Sequence, residues 1–205
     1  MFRDRQEAGE KLALKLKKII TDRDFVVIAL LRGGIVLGKR ISDYFKIPLF
    51  PLAVKKIGAP LNPELAIGAV TFNKTYYFDR ALIKYLSVGK DYMKNSLVSK
   101  RKEAETLQEK FNGSKISLED KKVIIVDDGI ATGTTAICAS IYAKKEKAQE
   151  IILATPVISK DVLRNIKGHF DRIVSLKIAD NLTSVSQSYK DFPQITDEEV
   201  LSFLL

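Results

Sequence analysis

The sequence predicts an α/β domain built on a mainly parallel sheet. Three observations carry that expectation. Short apolar runs rich in β-branched residues, FVVIALL (25–31), VIIV (123–126) and IILATP (151–156), each stop at a polar or glycine-bearing segment, as strands buried on both faces do. Segments with helical spacing separate these runs. The turns that leave the first two runs carry charged and small residues where the ligands of such sheets sit, beyond the carboxyl ends of the strands.

Taken in order, Ala8, Leu12, Leu14, Leu16 and Ile19 recur closer to helical than to alternating spacing, which predicts an amphipathic helix over 3–20. The run 25–31 is a buried strand entering the loop Arg32-Gly33-Gly34, and Ile35 to Phe45 is a helix. A second strand over Ile47 to Val54 is interrupted by Pro51, and Lys55 to Pro63, with two prolines and a glycine, reads as a loop. Ile67 to Phe72 and Tyr76 to Asp79 alternate as short strands, and Arg80 to Phe111 is helical and highly charged. The strand Val123 to Val126 then leads through a small-residue turn into a helix from Thr135 to Lys145. A strand over Ile151 to Pro156, a helix over Lys160 to Ile166 and a strand over Phe170 to Leu176 follow, and a last helix is capped by Thr196 or Asp197. With no repeat, low-complexity tract or linker, a single domain over 1–205 is expected.

The composition narrows the function classes. At 46% hydrophobic content, 205 residues can bury one substantial core. Cys138 is the only cysteine, which excludes an internal disulfide and fits a reducing compartment. The first twenty residues carry charges throughout and lack a signal peptide's apolar centre, and no run of eighteen apolar residues occurs, so a cytoplasmic protein without a membrane partner is expected. The formal charge of +9 raises nucleic acid as a partner, but the basic residues are interleaved with acids, as in SKRKEAETLQEK, which is how a solvated helix face reads. Anionic metabolites fit that charge better than nucleic acid does.

The most informative stretch is VIIVDDGIATGTT, Val123 to Thr135. Two ionised carboxylates at a strand end are paired acceptors, suited to the vicinal hydroxyls of a ribose. Glycines then let backbone N–H groups converge, threonines add hydroxyls, and a helix N-terminus supplies positive potential, which suits a phosphate. Together they describe a ribose 5-phosphate site. The plainer alternative is a capping aspartate in a tight connection. The stretch is neither a Walker loop nor a GxGxxG turn. A metal cage built from the two aspartates lacks a histidine or further carboxylate nearby in sequence.

VIIVDDGIATGTT resembles the signature of the type I phosphoribosyltransferases, which bind 5-phosphoribosyl 1-diphosphate (PRPP) and Mg²⁺. Within it, Asp127 and Asp128 match the ribose-binding acids. Ile130, Ala131, Thr132, Gly133, Thr134 and Thr135 match the 5-phosphate loop, with Gly129 leading into it. LLRGGI (30–35) is similar to the family's pyrophosphate loop, which implies Arg32 as the pyrophosphate ligand, Gly33 and Gly34 as its backbone partners, and a cis peptide at Leu31–Arg32. VKKIGAP (54–60) is similar to the start of its flexible loop, implying a lid over 56–66. FRDRQEAGEKLA, PELAIGAV and YKDFPQITDEEV resemble a little-characterised subgroup of phosphoribosyltransferase-like proteins.

The resemblance implies a type I phosphoribosyltransferase-like fold with a variable hood drawn from 80–111 and 177–205. It also implies transfer of phosphoribosyl to a small-molecule acceptor with release of pyrophosphate, Mg²⁺ carried mainly on PRPP or pyrophosphate, and a homodimer. Lys55 and Lys56 point to opposite faces of a strand end, so one reaches the pyrophosphate and the other a partner subunit or solvent. Glu64 is a candidate general acid or base beside the acceptor, or the cap of the next element. In relatives acting on hypoxanthine and guanine an acid precedes the TG of the signature; here that residue is Ala131, which argues against a 6-oxopurine acceptor. Tyr189 and Phe192 are expected to pack rather than stack on a base, Cys138 to lie in the core, and His169 at a surface or turn. A PRPP-sensing regulator without turnover, and a nucleic-acid binder, are the other functions the sequence leaves open.

Overall fold

In the computed structural model, which describes residues 1–111 and 117–205, the apolar runs form a five-stranded parallel sheet. Its strands are β1 (Phe25–Leu30), β2 (Leu49–Leu52), β6 (Lys122–Val126), β7 (Glu150–Ser159) and β8 (Arg172–Ala179), ordered β2-β1-β6-β7-β8. Alternation sends successive side chains to opposite faces, and each face has its own helical cover. Val27, Ala29, Ile124, Val126 and Ile152 pack under α1 (Arg5–Leu16), α2 (Gly34–Phe45) and α7 (Asp197–Leu204). Val26, Ile28, Val123, Ile125 and Leu153 pack under α5 (Thr134–Lys145) and α6 (Lys160–Ile166). Two-sided burial explains why these strands lack polar alternation.

The α1 stripe is Arg5, Ala8, Leu12 and Leu16; Leu14, expected on that face, is 59% exposed. Thr196 caps α7 in a reciprocal capping box with Glu199, as its sequence suggests. Cys138 is buried in the core, and burial pushes its thiol up to about 12. No helix among the described residues is long and apolar enough to cross a membrane.

The segment read as a loop over 55–63 is instead part of a second, antiparallel sheet. Strands β3 (Val54–Ala59), β4 (Asn62–Thr71) and β5 (Tyr76–Phe78) pair in the order β3-β4-β5. The prolines and glycine that argued for a loop sit where a bulged hairpin tolerates them. The register shifts on either side of Gly58, and a Cβ there would lie 2.3 Å from the carbonyl oxygen of Pro63. Pro60 falls at the tip, beside a fully exposed Leu61. Ile57, Ile67 and Val70 are covered by α3 (Arg80–Tyr85) and α4 (Lys90–Lys110), through Leu82, Ile83, Tyr92 and Leu97.

Pro51 is accommodated because β2 is an edge strand of the parallel sheet. The buried Gln108 of α4 meets that edge: its Nε2 donates to the Pro51 carbonyl at 2.9 Å and its Oε1 accepts from the Ala53 N–H at 2.8 Å. One side-chain amide thus serves the edge as a further strand would.

Candidate functional site

The site forms where strand order reverses. β1 lies between β2 and β6, and its register with β6 sets Ala29 opposite Val126, so the segments 31–34 and 127–135 leave the sheet side by side. Their approach is close enough to require glycine. A Cβ at Gly33 would lie 1.9 Å from Asp128 Oδ2, and one at Gly34 would lie 2.5 Å from the Val126 carbonyl oxygen. The Leu31–Arg32 peptide is cis.

Asp127 and Asp128 end β6 as a bonded pair, with the Asp128 N–H donating to Asp127 Oδ1 at 3.0 Å. Burial first, then the charge of Asp128, holds the Asp127 carboxyl well above the usual carboxylate range, against the opposing effects of that N–H bond, Lys56 and Arg5. Asp128 is held from two further sides. Arg5 Nε donates to its Oδ2 at 2.7 Å, and the Tyr189 hydroxyl donates to its backbone carbonyl at 2.6 Å.

The turn that follows is pinned at both ends. The Ile130 N–H donates to the Val157 carbonyl at 2.9 Å, tying the turn to β7. Gly133 caps α5 at φ +81°, a conformation suited to glycine, and a Cβ there would lie 2.6 Å from Ile166. Thr132 and Thr134 share a hydroxyl hydrogen bond at 3.2 Å. The first turn of α5 carries no acid to offset the partial positive charge of its N-terminus, and Lys144 and Lys145 in its last turn complement the opposite end. The cavity measures about 390 Å³ and is lined by Leu30, Leu31, Gly33, Val54, Lys56, residues 127–133, Thr135 and Val185. It therefore joins a carboxylate pair, the N-terminus of a helix and a lysine.

The sequence profile of the family described as phosphoribosyl transferase domain matches residues 3–191. The chain belongs to that family. A Mycobacterium tuberculosis H37Rv protein whose name includes the words phosphoribosyl transferase is 31% identical over 208 residues, covering 100% of this chain and 46% of its own length. The chain thus spans about half the length of the curated relatives it matches. Among solved structures, the Thermus thermophilus protein TT1426 superposes with a TM-score of 0.83 at 29% identity, covering 99% of this chain and 97% of that one. The purine phosphoribosyltransferase of Pyrococcus horikoshii shares the fold at a TM-score of 0.50 and 21% identity, over 92% of this chain and 87% of its own.

This phosphoribosyltransferase domain assembles most, but not all, of the residues its sequence nominates. Asp127, Asp128, Gly129, Ile130, Ala131, Thr132, Gly133, Thr135, Gly33 and Lys56 line one cavity, and Thr134 is buried behind it. Lys55 does not join them: strand alternation turns it toward α4, in a groove with Lys102, Glu103 and Thr106. Glu64 lies in a neighbouring groove between the hairpin and α4, with Tyr92, Asn95 and Ser96, and only Lys56 lines both spaces. Arg32 is also absent from the cavity lining. Its guanidinium pairs with Asp197 at 2.7 Å, and Asp197 pairs in turn with Lys110 at 2.9 Å.

The contributors the sequence did not nominate include Arg5, Asp197 and Val185. Arg5 carries a readable signal, a cation on the buried 5-8-12-16 stripe of a helix, where a charge requires a partner. Val185 packs so near Gly129 that a Cβ there would lie 2.4 Å away, a contact no local pattern announces. Tyr189 and Phe192 do pack, with ring centroids 4.8 Å apart, and His169 stands in a surface turn edge-on to Tyr77.

Proposed function

We propose that the domain binds PRPP and transfers its phosphoribosyl group to a small-molecule acceptor, releasing pyrophosphate. The observation that carries this reading is the single cavity in which Asp127 and Asp128 adjoin the Gly129–Thr135 turn on one side and the Leu31–Gly34 loop on the other. The carboxylates would accept from the ribose 2- and 3-hydroxyls, and the start of α5 would hold the 5-phosphate. Lys56 and the backbone of Gly33 would meet the diphosphate.

In the reaction the C1–O bond to the diphosphate breaks, with its electron pair leaving on the diphosphate, and C1 bonds to a ring nitrogen whose proton passes to a base. The Glu64 carboxylate, in the neighbouring groove that shares Lys56 with the cavity, would be the base for that proton. Positive charge develops on the ribose and negative charge on the departing group, so the acid pair and the cations act by placing charge, not by covalent attack. The hairpin bearing Lys56 would close over the cavity as the lid that excludes water. Mg²⁺ would enter as part of the substrate, since diphosphate oxygens suit a hard cation. When bound, it neutralises the leaving group.

The hood, α3 and α4 with the segment after 177, would choose the acceptor, and Ala131 in the cavity wall argues against a 6-oxopurine. A second reading, PRPP sensing without turnover, is favoured by the engagement of Arg32 with Asp197 instead of the cavity. Incubation with PRPP, Mg²⁺ and a panel of nucleobases, scored by pyrophosphate release, tests the proposal. Release should require an acceptor and vanish in Asp127→Asn/Asp128→Asn. PRPP binding without release for any acceptor would favour the sensor, and release that persists in the double variant would refute the site.

A further inference from the structure

Arg5 lies 123 residues from the acid pair, yet it is the cation in direct contact with it. Its side chain is buried, with 9% of its surface exposed, and three contacts fix it. Nε donates to Asp128 Oδ2 at 2.7 Å, Nη1 donates to the Pro193 carbonyl at 2.7 Å, and the guanidinium carbon stands 3.6 Å over the Phe192 ring. A planar, forked cation is needed to do all three; a lysine could supply charge but not the stack and the second in-plane donor. The same carboxylate oxygen lies against Gly33, where a Cβ would come within 1.9 Å, so the Asp128 carboxylate is held between Arg5 and the Gly33 backbone.

We propose that Arg5 is a positioning residue for sugar recognition: it fixes the orientation of the Asp128 carboxylate toward a ribose hydroxyl and offsets part of the repulsion between Asp127 and Asp128. This rests on the PRPP reading of the cavity. Two adjacent carboxylates in a partly buried site repel, and one takes up a proton unless cations offset the pair. The groups facing the pair are Lys56 from β3, Arg5 from α1 and the Tyr189 hydroxyl beside the Asp128 carbonyl. On its outer side Arg5 faces a cleft lined also by Asp4, Asp191 and Glu199. Loss of Arg5 therefore leaves Lys56 as the cation lining the cavity, on an exposed strand end.

The test compares wild type, Arg5→Met and Arg5→Lys for binding of Mg-PRPP and of Mg-diphosphate by calorimetry between pH 5.5 and 8.5, with thermal melts of each. Diphosphate has no sugar, so it reports the rest of the cavity. The expected result is a loss of PRPP affinity in Arg5→Met of at least about tenfold near neutral pH. That loss should grow toward acid pH, while diphosphate binding is retained. Arg5→Lys should keep the wild-type pH profile but bind PRPP more weakly, and it decides the matter if Arg5→Met does not fold. Equal losses for PRPP and diphosphate, a loss independent of pH, or unchanged PRPP binding would overturn the proposal. If the wild-type protein binds diphosphate but not PRPP, the ribose reading on which it rests fails first.

Discussion

The two lysines at the start of the hairpin offer a sharp test of the site, because they are neighbours in sequence and separate in space. In β3, Lys55 stands opposite Val70 and Lys56 opposite Ala69, so alternation sends their side chains to opposite faces. Lys56 lines the cavity with Asp127 and Asp128, whereas Lys55 lies along α4 with Lys102 and Glu103. A hydrogen bond to a charged group contributes about 1.5–3 kcal/mol. Lys56 is exposed in the ligand-free chain, where water already solvates it, so the lower half of that range applies. Lys56→Ala should then weaken Mg-PRPP binding by about 10- to 40-fold, since each 1.4 kcal/mol is tenfold. The loss should shrink as salt screens the ammonium. Lys55→Ala should leave affinity within about twofold, as removal of a solvated lysine does. Titration calorimetry at two salt concentrations measures both. Equal losses in the two variants, or a loss confined to Lys55→Ala, would refute the assignment of faces.

Other outcomes follow from single contacts. Because the Asp127 carboxyl is raised in the folded state, the folded chain binds more protons than the unfolded chain between the ordinary value of 3.8 and that raised value, and stability falls as pH rises through this window. Asp127→Asn should therefore raise the melting temperature of the ligand-free protein at neutral pH, with the gain fading toward pH 4, while PRPP binding is lost. Gln108→Leu leaves the Ala53 N–H and Pro51 carbonyl buried without their partner; with about 1–3 kcal/mol for each such group, urea unfolding should show a loss of about 2–6 kcal/mol. Asp197→Asn should free Arg32 from its ion pair and tighten Mg-diphosphate binding at low salt; weaker binding would show instead that Asp197 holds Arg32 in its working position.

What could be read from the sequence was what local physics decides. β1, β6 and β7 declared themselves because strands buried on both faces must be apolar throughout, and residues 123–135 carry strand end, acids, turn and helix start in one stretch. The helix over 160–166 matched to the residue: Ser159 caps its start, and the chain tightens into a 3-10 turn over Lys167–His169 at its end. The hairpin at 54–71 was misread at its start, since Gly58, Pro60 and Pro63 signal a loop unless one knows that a bulge and a tip await them. The roles of Lys55, Lys56 and Arg32 depended on a facing residue far along the chain: Val70, Ala69 and Asp197. Alternation showed that the lysines diverge; it could not show which face was the cavity.

The same limit explains why the tail matters to the acid pair. The N-terminal residues and the segment 188–191 are tied by backbone bonds, Phe2 N–H to the Ser188 carbonyl at 2.7 Å, Lys190 N–H to the Phe2 carbonyl at 2.8 Å and Asp191 N–H to the Arg3 carbonyl at 2.8 Å. This clasp carries Arg5 on one side and Tyr189 on the other, and both end on Asp128, one at its carboxylate and one at its carbonyl. A carboxylate pair at a strand end is an unfavourable arrangement that the sheet alone does not stabilise, since β1 brings only the apolar Leu30 to the cavity and the turn after it sets the Gly33 backbone against Asp128. Beside Lys56, the groups that brace Asp128 come from α1 and from the segment 188–191, which the same backbone bonds hold together. Opening the clasp should therefore cost the sugar-binding geometry before it costs the sheet, because the strands bury their own apolar faces while Asp128 depends on both braces.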